Sequence, residues 1–282
     1  MNNIISSDGI ESIDEIRMNF WKWGHSKIHV LADFDRTLTK KFVDGEERPS
    51  LTSVLRREGI LWQEYAKKAT DLYNHYYPIE ISPTISLQQK KEEMTIWWKT
   101  HMQLLVDTWI NQKDIEHAVW LGKIELRDWV KEFLQFLDNK NIPLVIMSAN
   151  ALGIESIHDF LELEGYNMNN IDIISNWFIW DKSGKAIGYK QPLIHTFNKD
   201  ETTLSSFPDI SNKISDRKNV ILLWDSEGDP GMIEWFDADN LLRVWFLNKN
   251  KEELEQRYRQ LYDVVICDDG NFDFINTFLE NI

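Results

Sequence analysis

The run His29-Val30-Leu31-Ala32-Asp33-Phe34-Asp35-Arg36-Thr37-Leu38-Thr39 decides how this chain is read. Its apolar half has the composition of a buried strand, and it breaks directly into two aspartates one residue apart, with a threonine two further on. Aspartate is poor strand material, so Asp33 and Asp35 fall where the strand gives way to a loop. In open α/β sheets the carboxyl ends of strands are where ligands bind. One carboxylate there is explained well enough as a turn residue or a helix cap. Two of them, with Thr37 and with matching clusters downstream, point to magnesium-dependent phosphoryl transfer.

Two further runs supply those clusters. Pro143-Leu144-Val145-Ile146-Met147 ends at Ser148-Ala149-Asn150, ahead of a helical pattern (Ile154, Ile157, Leu161) stopped by Gly165. A hydroxyl and backbone N–H groups at a helix entrance suit a phosphate oxygen. The run from Asn219 to Trp224 ends at Asp225-Ser226-Glu227-Gly228-Asp229. If Asp33, Asp35, Asp225 and Asp229 converge, each close pair repels by roughly 4 kcal/mol at about 4 Å and an effective dielectric near 20. A cation or protonation must offset that, and oxygen ligation completed by water is what Mg²⁺ prefers. Of the lysines between the second and third clusters, the residues alone allow Lys182, Lys185, Lys190 or Lys199 to balance the charge and hold a phosphate.

The order Asp-x-Asp-x-Thr, Ser, Lys, Asp-Ser-x-Gly-Asp resembles the haloacid-dehalogenase-like phosphatases. More narrowly, the chain from about residue 10 onward is similar to the cytosolic pyrimidine 5′-nucleotidases. That resemblance rests on Tyr76-Tyr77-Pro78-Ile79-Glu80, the Trp97-Trp98 segment, Leu193-Ile194-His195-Thr196-Phe197-Asn198-Lys199 and Val220 to Asp229. It implies an α/β fold, a doubly wound Rossmann-like parallel sheet with an inserted helical cap domain. It implies Asp33 as nucleophile, forming an aspartyl-phosphate, and Asp35 as the acid that protonates the leaving oxygen and then activates water. An ordinary aspartate titrates near 3.9, so Asp35 needs a raised pKa, which crowding by carboxylates gives. Thr37, Ser148, Ala149 and Lys199 would hold the phosphate, and Asp33, Asp35, Asp225 and Asp229 the Mg²⁺, Asp35 through its carbonyl. Glu80 would accept hydrogen bonds from a base, and Trp97 or Trp98 would stack on it. Neighbours on a helix point about 100° apart, so one tryptophan faces the ligand and the other packs.

Four places depart from the family pattern. Arg36 and Trp224 stand where an apolar residue and a glycine are expected, and Asn150 follows Ser148-Ala149 where a glycine is usual. The stretch from Phe42 to Ser53 lacks the cysteine- and histidine-bearing segment of the animal enzymes, whose histidine helps hold the base. Its counterparts Thr52 and Ser53 cannot stack. The reaction type is untouched by these changes; the base preference is not.

Composition agrees with a soluble enzyme. Across 282 residues the hydrophobic fraction is 43% with thirteen tryptophans, ample for a packed core. A net charge of −15 disfavours nucleic-acid polymers, which need clustered Lys and Arg. The single cysteine, Cys267, ends the apolar run Val264-Val265-Ile266, which reads as core and excludes an intrachain disulfide. There is no basic start to a leader and no membrane-length apolar run, so a cytoplasmic location is expected, with no membrane partner. His25 and His29 are read as structural.

Ser12-Ile13-Asp14-Glu15 is a capping box opening a helix. From Asp44-Gly45 to about residue 140 the pattern is helical, with Leu51, Leu55, Trp62, Tyr65, Ala69 and Tyr73 on one face, a break at Pro78, and a new cap at Ser86. Residues 45–140 are therefore expected to form the cap, and 1–44 with 141–282 the core. Beyond Ser148 strands are expected near 171–175, 219–224, 241–246 and 263–267, alternating with helices. Residues 177–189 read as a β-hairpin flap. The expected activity is Mg²⁺-dependent hydrolysis of a nucleoside 5′-monophosphate, a pyrimidine one by resemblance. The rivals are another small-molecule phosphatase or phosphotransferase on this scaffold, and a non-catalytic binder of a phosphorylated ligand.

Overall fold

In a computed structural model of the chain, residues 4–6, 12–199, 201–225, 238–249 and 251–282 are described. Their centre is a seven-stranded sheet. Its parallel strands are β2 (Ile28–Ala32), β5 (Leu144–Met147), β6 (Ile171–Ile174), β9 (Asn219–Trp224), β10 (Asn240–Leu247) and β11 (Val264–Cys267). The spatial order is β11-β10-β9-β2-β5-β6. Strand β1 (Ile4–Ser6) adds an antiparallel edge on β11. At three residues it is too short to show an alternation, and the sequence reading passes over it.

Strands β2, β5, β9 and β11 are buried at every position, as strands covered on both faces must be. Cys267 is part of that core. The order reverses direction beside β2, whose neighbours are β9 on one side and β5 on the other. The carboxyl ends of β2, β5 and β9 therefore meet at a topological switch point, and Asp33, Ser148 and Asp225 are the residues that follow them.

Between β2 and β5 the chain leaves the sheet through the hairpin β3 (Phe42–Val43) and β4 (Glu46–Glu47). It then builds α2 (Leu51–Arg57), α3 (Gln63–Glu80), α4 (Leu87–Asp107) and α5 (Gln112–Leu121). The helical face read as one run is two helices, broken at Gly59, whose φ of +66° favours glycine. Pro78 does not end α3, which continues to Glu80. A proline forfeits only its own N–H bond and crowds the carbonyl four residues back, a small loss in a last turn. Ser86 caps α4 by accepting from Gln89 N–H at 3.3 Å, and the capping box at Ser12 is formed as expected at the start of α1 (Ile13–Trp23).

The excursion closes near residue 126: Lys40 N–H donates to Glu125 O at 2.8 Å and Arg127 N–H to Leu38 O at 2.9 Å. The next helix, α6 (Val130–Asn139), packs on α11 (Asp273–Glu280) beside the sheet. Past β5 the core carries α7 (Gly153–Leu163), then the flap hairpin β7 (Phe178–Trp180) and β8 (Ala186–Tyr189), and the short helices α8 (Glu201–Ser205) and α9 (Pro208–Ile214). Helix α10 (Lys251–Tyr258) joins β10 to β11. Among the described residues no helix is long and apolar enough to cross a membrane.

Candidate active site

Asp33 is buried at the end of β2, its N–H donating to Leu223 O at 3.0 Å on β9. Its Oδ1 accepts from Phe34 N–H at 2.8 Å, and its Oδ2 lies 2.7 Å from Lys199 Nζ. The following turn is tight: Arg36 takes the left-handed conformation, φ +66°, which is strained for a long side chain. Thr39 pins it, its hydroxyl oxygen accepting from Arg36 N–H at 2.8 Å and its hydroxyl donating to Phe34 O at 3.3 Å. Asp35 Oδ1 accepts from Leu51 N–H at 3.3 Å, at the start of α2. Burial, then the charge of Asp33, pushes the Asp35 carboxyl up to about 6. The same two causes push Asp225 up to about 7. Thr37 Oγ1 is buried with no hydrogen-bond partner, an oxygen left over for something the chain does not itself supply.

Asp33, Asp35 and Asp225 are thus hard oxygen donors, and burial opposes the charge of the last two, which is the donor set a Mg²⁺ ion fits. Asp229 lies outside the described residues. Asn248 Nδ2 approaches Asp225 Oδ2 at 3.5 Å.

Of the four candidate lysines, Lys199 is the one that meets Asp33. Lys190 sits over the Trp177 ring at 3.5 Å and Lys185 over Trp109 at 5.4 Å. Trp224, where a glycine was expected, lies beneath Lys199, whose ammonium is 4.7 Å from the ring centroid. An aromatic face there gives the ammonium a second contact beside Asp33, which a glycine would not supply.

Ser148 is buried after β5, and its Oγ accepts from Asn150 N–H at 3.1 Å. The helix entrance is less open than the sequence suggests. Ala151 N–H donates to Thr52 Oγ1 at 2.9 Å, Leu152 N–H to Asn150 Oδ1 at 2.9 Å, and Ile154 N–H to Asn176 O at 3.0 Å. Gly153 is required at this point, since its φ is +83° and a Cβ would lie 2.6 Å from Asn176 O.

The inserted helices reach the same loops. Glu80, at the end of α3, accepts from the Thr196 hydroxyl at 2.5 Å, and burial raises its pKa. Thr196 is three residues before Lys199, so one turn joins Glu80 to the Asp33 partner. Trp97 is buried and stacked on Tyr76, ring centroids 5.6 Å apart at 11°, and serves packing. Trp98 turns to the core, its indole N–H donating to Ala149 O at 2.9 Å. His195 Nε2 meets Thr95 Oγ1 at 3.1 Å. His25 and His29 bond backbone carbonyls of Leu279 and Arg217, at 3.1 and 2.6 Å, consistent with structural roles.

Three residues beside the turn from Asp33 to Thr39 escape the sequence reading. Arg127, fully buried, donates through Nε to Thr37 O at 2.8 Å, through Nη2 to Arg36 O, and to Asn248 Oδ1 at 2.7 Å. Its charge is met by Asp269 at 2.8 Å, and its plane lies over Phe246 at 4.5 Å. Asp269 in turn accepts from Lys41 N–H and Phe42 N–H, both at 2.9 Å, fixing the start of β3. No local signal marks an arginine whose partners are 90 to 143 residues away in sequence.

Comparison with known proteins agrees with this geometry. Residues 36–282 match the family model described as pyrimidine 5′-nucleotidase (UMPH-1). The 7-methylguanosine phosphate-specific 5′-nucleotidase of Gallus gallus is 33% identical over 92% of this chain and 89% of its own length. The enzyme of that name from Homo sapiens is 34% identical over 96% and 89%. A crystal structure of cytosolic 5′-nucleotidase IIIB bound to cytidine superposes with a TM-score of 0.87 at 27% identity, covering 100% of this chain and 93% of that one. A substrate-bound phosphoserine phosphatase shares the fold, with a TM-score of 0.51 at 12% identity over 89% of this chain and 97% of that one. The chain is a phosphoric monoester hydrolase of haloacid-dehalogenase type and belongs to the pyrimidine 5′-nucleotidase (UMPH-1) family.

Proposed function

We propose that this protein hydrolyses nucleoside 5′-monophosphates to nucleoside and phosphate, with Mg²⁺ as cofactor and a cytosine-type pyrimidine as the preferred base. The observation that carries the reading is the turn from Thr196 to Lys199, which ties Glu80 to Asp33. A group able to read a base and a group able to attack phosphorus are thereby anchored to one turn. The exocyclic amine of cytosine is a donor suited to the Glu80 carboxylate, and a site built for that bond rejects a base lacking it. The names of the relatives favour 7-methylguanosine 5′-monophosphate as a second reading.

In the proposed reaction an Asp33 oxygen attacks phosphorus and the bond to the 5′-oxygen breaks, leaving an aspartyl-phosphate. Asp35 gives its proton to the departing 5′-oxygen. It then accepts a proton from the water that attacks phosphorus and frees Asp33. Lys199, the Ser148 hydroxyl, the Ala149 amide and Thr37 hold the phosphate oxygens. Asp33, Asp225, the Asp35 carbonyl and Asp229 would hold Mg²⁺, which supplies positive charge to the phosphate. We assign the cap to the excursion from the β3–β4 hairpin to about residue 125. Helix α6 then belongs with the core rather than with a cap ending at 140. A cytoplasmic location suits a single buried cysteine and a soluble phosphate ester as substrate.

The test is a phosphate-release screen over nucleoside 5′-monophosphates, including 7-methylguanosine 5′-monophosphate, and p-nitrophenyl phosphate, with and without Mg²⁺. Asp33→Asn should abolish all turnover. Glu80→Gln should lower catalytic efficiency on the preferred nucleotide by roughly ten- to a hundredfold, the cost of an unpaired polar group, and spare p-nitrophenyl phosphate. Equal loss on both substrates would leave the phosphatase and remove the nucleotide.

A further inference from the structure

Two of the departures from the family pattern meet in space. Thr52, in the first turn of α2, donates its hydroxyl proton to Asn150 Oδ1 at 2.8 Å and accepts from Ala151 N–H at 2.9 Å. Asn150 is buried and every polar atom of its side chain is used. Its Oδ1 also accepts from Leu152 N–H at 2.9 Å, and its Nδ2 donates to Ser156 Oγ at 2.7 Å. Its backbone N–H donates to Ser148 Oγ at 3.1 Å. One residue therefore links the inserted helices to the Ser148 hydroxyl. A glycine at 150 has no side-chain oxygen to offer Thr52, and a stacking residue at 52 has no hydroxyl to offer Ala151.

The pair also changes what the loop can give a ligand. Thr52 consumes the Ala151 amide, while from α4 Trp98 takes the Ala149 carbonyl at 2.9 Å. Three consecutive residues, 149 to 151, are thus gripped from two cap helices. What remains for a phosphate is the Ser148 hydroxyl proton, which the bond from Asn150 leaves free to point elsewhere, and the Ala149 amide.

We propose that Thr52 and Asn150 act as a pair of positioning residues, a latch that fixes the cap on the phosphate loop and sets the Ser148 hydroxyl for the substrate. The proposal rests on the reading of Ser148 as a phosphate ligand. It separates this chain from relatives that carry a glycine and a base-holding side chain at these places, because here closure over the phosphate is built from the chain itself.

The experiment is a double-mutant cycle of Thr52→Val, Asn150→Gly and the double variant, with Thr52→Ser as the conservative control. Catalytic efficiency and its KM component on p-nitrophenyl phosphate, inhibition by inorganic phosphate, and hydrogen exchange of the 149–152 amides are measured. Thr52→Val, which loses two hydrogen bonds, should lower catalytic efficiency by about 3- to 10-fold through KM, Asn150→Gly, which loses three, by at least as much, and both should weaken phosphate inhibition in parallel. The double variant should be no worse than the poorer single one. Thr52→Ser should stay within about twofold, and exchange at Ala151 should accelerate in Thr52→Val alone of the two Thr52 variants. Multiplying losses, equal defects in Thr52→Ser and Thr52→Val, or unchanged exchange at Ala151 would overturn the latch. If no substrate releases phosphate, the functional reading fails on its own, and Ala151 exchange still decides whether the latch exists.

Discussion

In the proposed reaction Asp35 carries the heaviest chemical demand of any single residue, since it serves as an acid in one half-reaction and a base in the other. Burial and the neighbouring Asp33 hold it at about 6, where both forms are within reach near neutrality. The pH profile should show this through the leaving group. With a nucleoside, whose oxygen needs a proton, kcat/KM should fall as pH rises through about 6 to 7. With p-nitrophenyl phosphate, whose leaving group needs none, that limb should flatten. The second ionisation of the phosphate, near 6, affects both substrates alike, so the difference isolates Asp35. Superimposable profiles would remove it as the acid. Stability follows with a definite sign. The folded pKa is above the unfolded one, so the contribution is fully present below about pH 4 and lost as pH rises through about 6. Metal-free Asp35→Asn should therefore be more stable than the parent by roughly 1–3 kcal/mol at pH 7, and by nothing at pH 4, in thermal unfolding. Asp33, Asp35, Ser148 and Asp225 are legible from sequence because each ends an apolar run. The partner of Asn150 is not, because Thr52 is 98 residues away on an exposed-looking helix start.

At the scale of elements, β2, β5, β9 and β11 are legible for the same reason that they are buried: both faces are covered, so each reads as an apolar run with a polar stop. The flap hairpin announces itself by Asp181-Lys182-Ser183-Gly184 between two aromatic stretches, and Gly184 does take φ +79°. Connections between elements are where sequence falls silent. Nothing near Leu126-Arg127 indicates that the inserted helices end there, or that Arg127 will tie the catalytic turn to the ends of β10 and β11 through Asn248, Gly270 and Asp269. Burial pulls the Arg127 guanidinium down to about 10, against the raising effect of Asp269 and Asp225, so it remains charged at neutral pH. Arg127→Met keeps the volume and leaves Asp269 and three carbonyls without their donor. The expected cost is about 3–5 kcal/mol, read as a lower denaturant midpoint, with turnover falling further than the folded fraction because Asp35 is released with Arg36. A variant as stable as the parent would show that the turn holds itself.

Taken whole, the molecule gathers carboxylates that oppose one another, the charge of Asp33 raising the pKa of both Asp35 and Asp225. If Mg²⁺ binds the folded chain as proposed, it should raise the melting temperature in proportion to the logarithm of its concentration above Kd. Asp225→Asn should raise the metal-free melting temperature, by relieving a buried charge, and shrink the shift that Mg²⁺ produces. An unchanged Mg²⁺ shift in that variant would place the ion elsewhere. The sheet order has a consequence of another kind, in time. Asp33 ends a strand whose neighbour β9 finishes at Trp224, 192 residues after Ala32. At about 5–20 residues per second, a ribosome makes Asp33 roughly 10–40 s before it completes the strand that holds it. During that interval the nascent chain gains helices α2 to α9 and strands β5 and β6, but no pocket in which a phosphate ester can be cleaved.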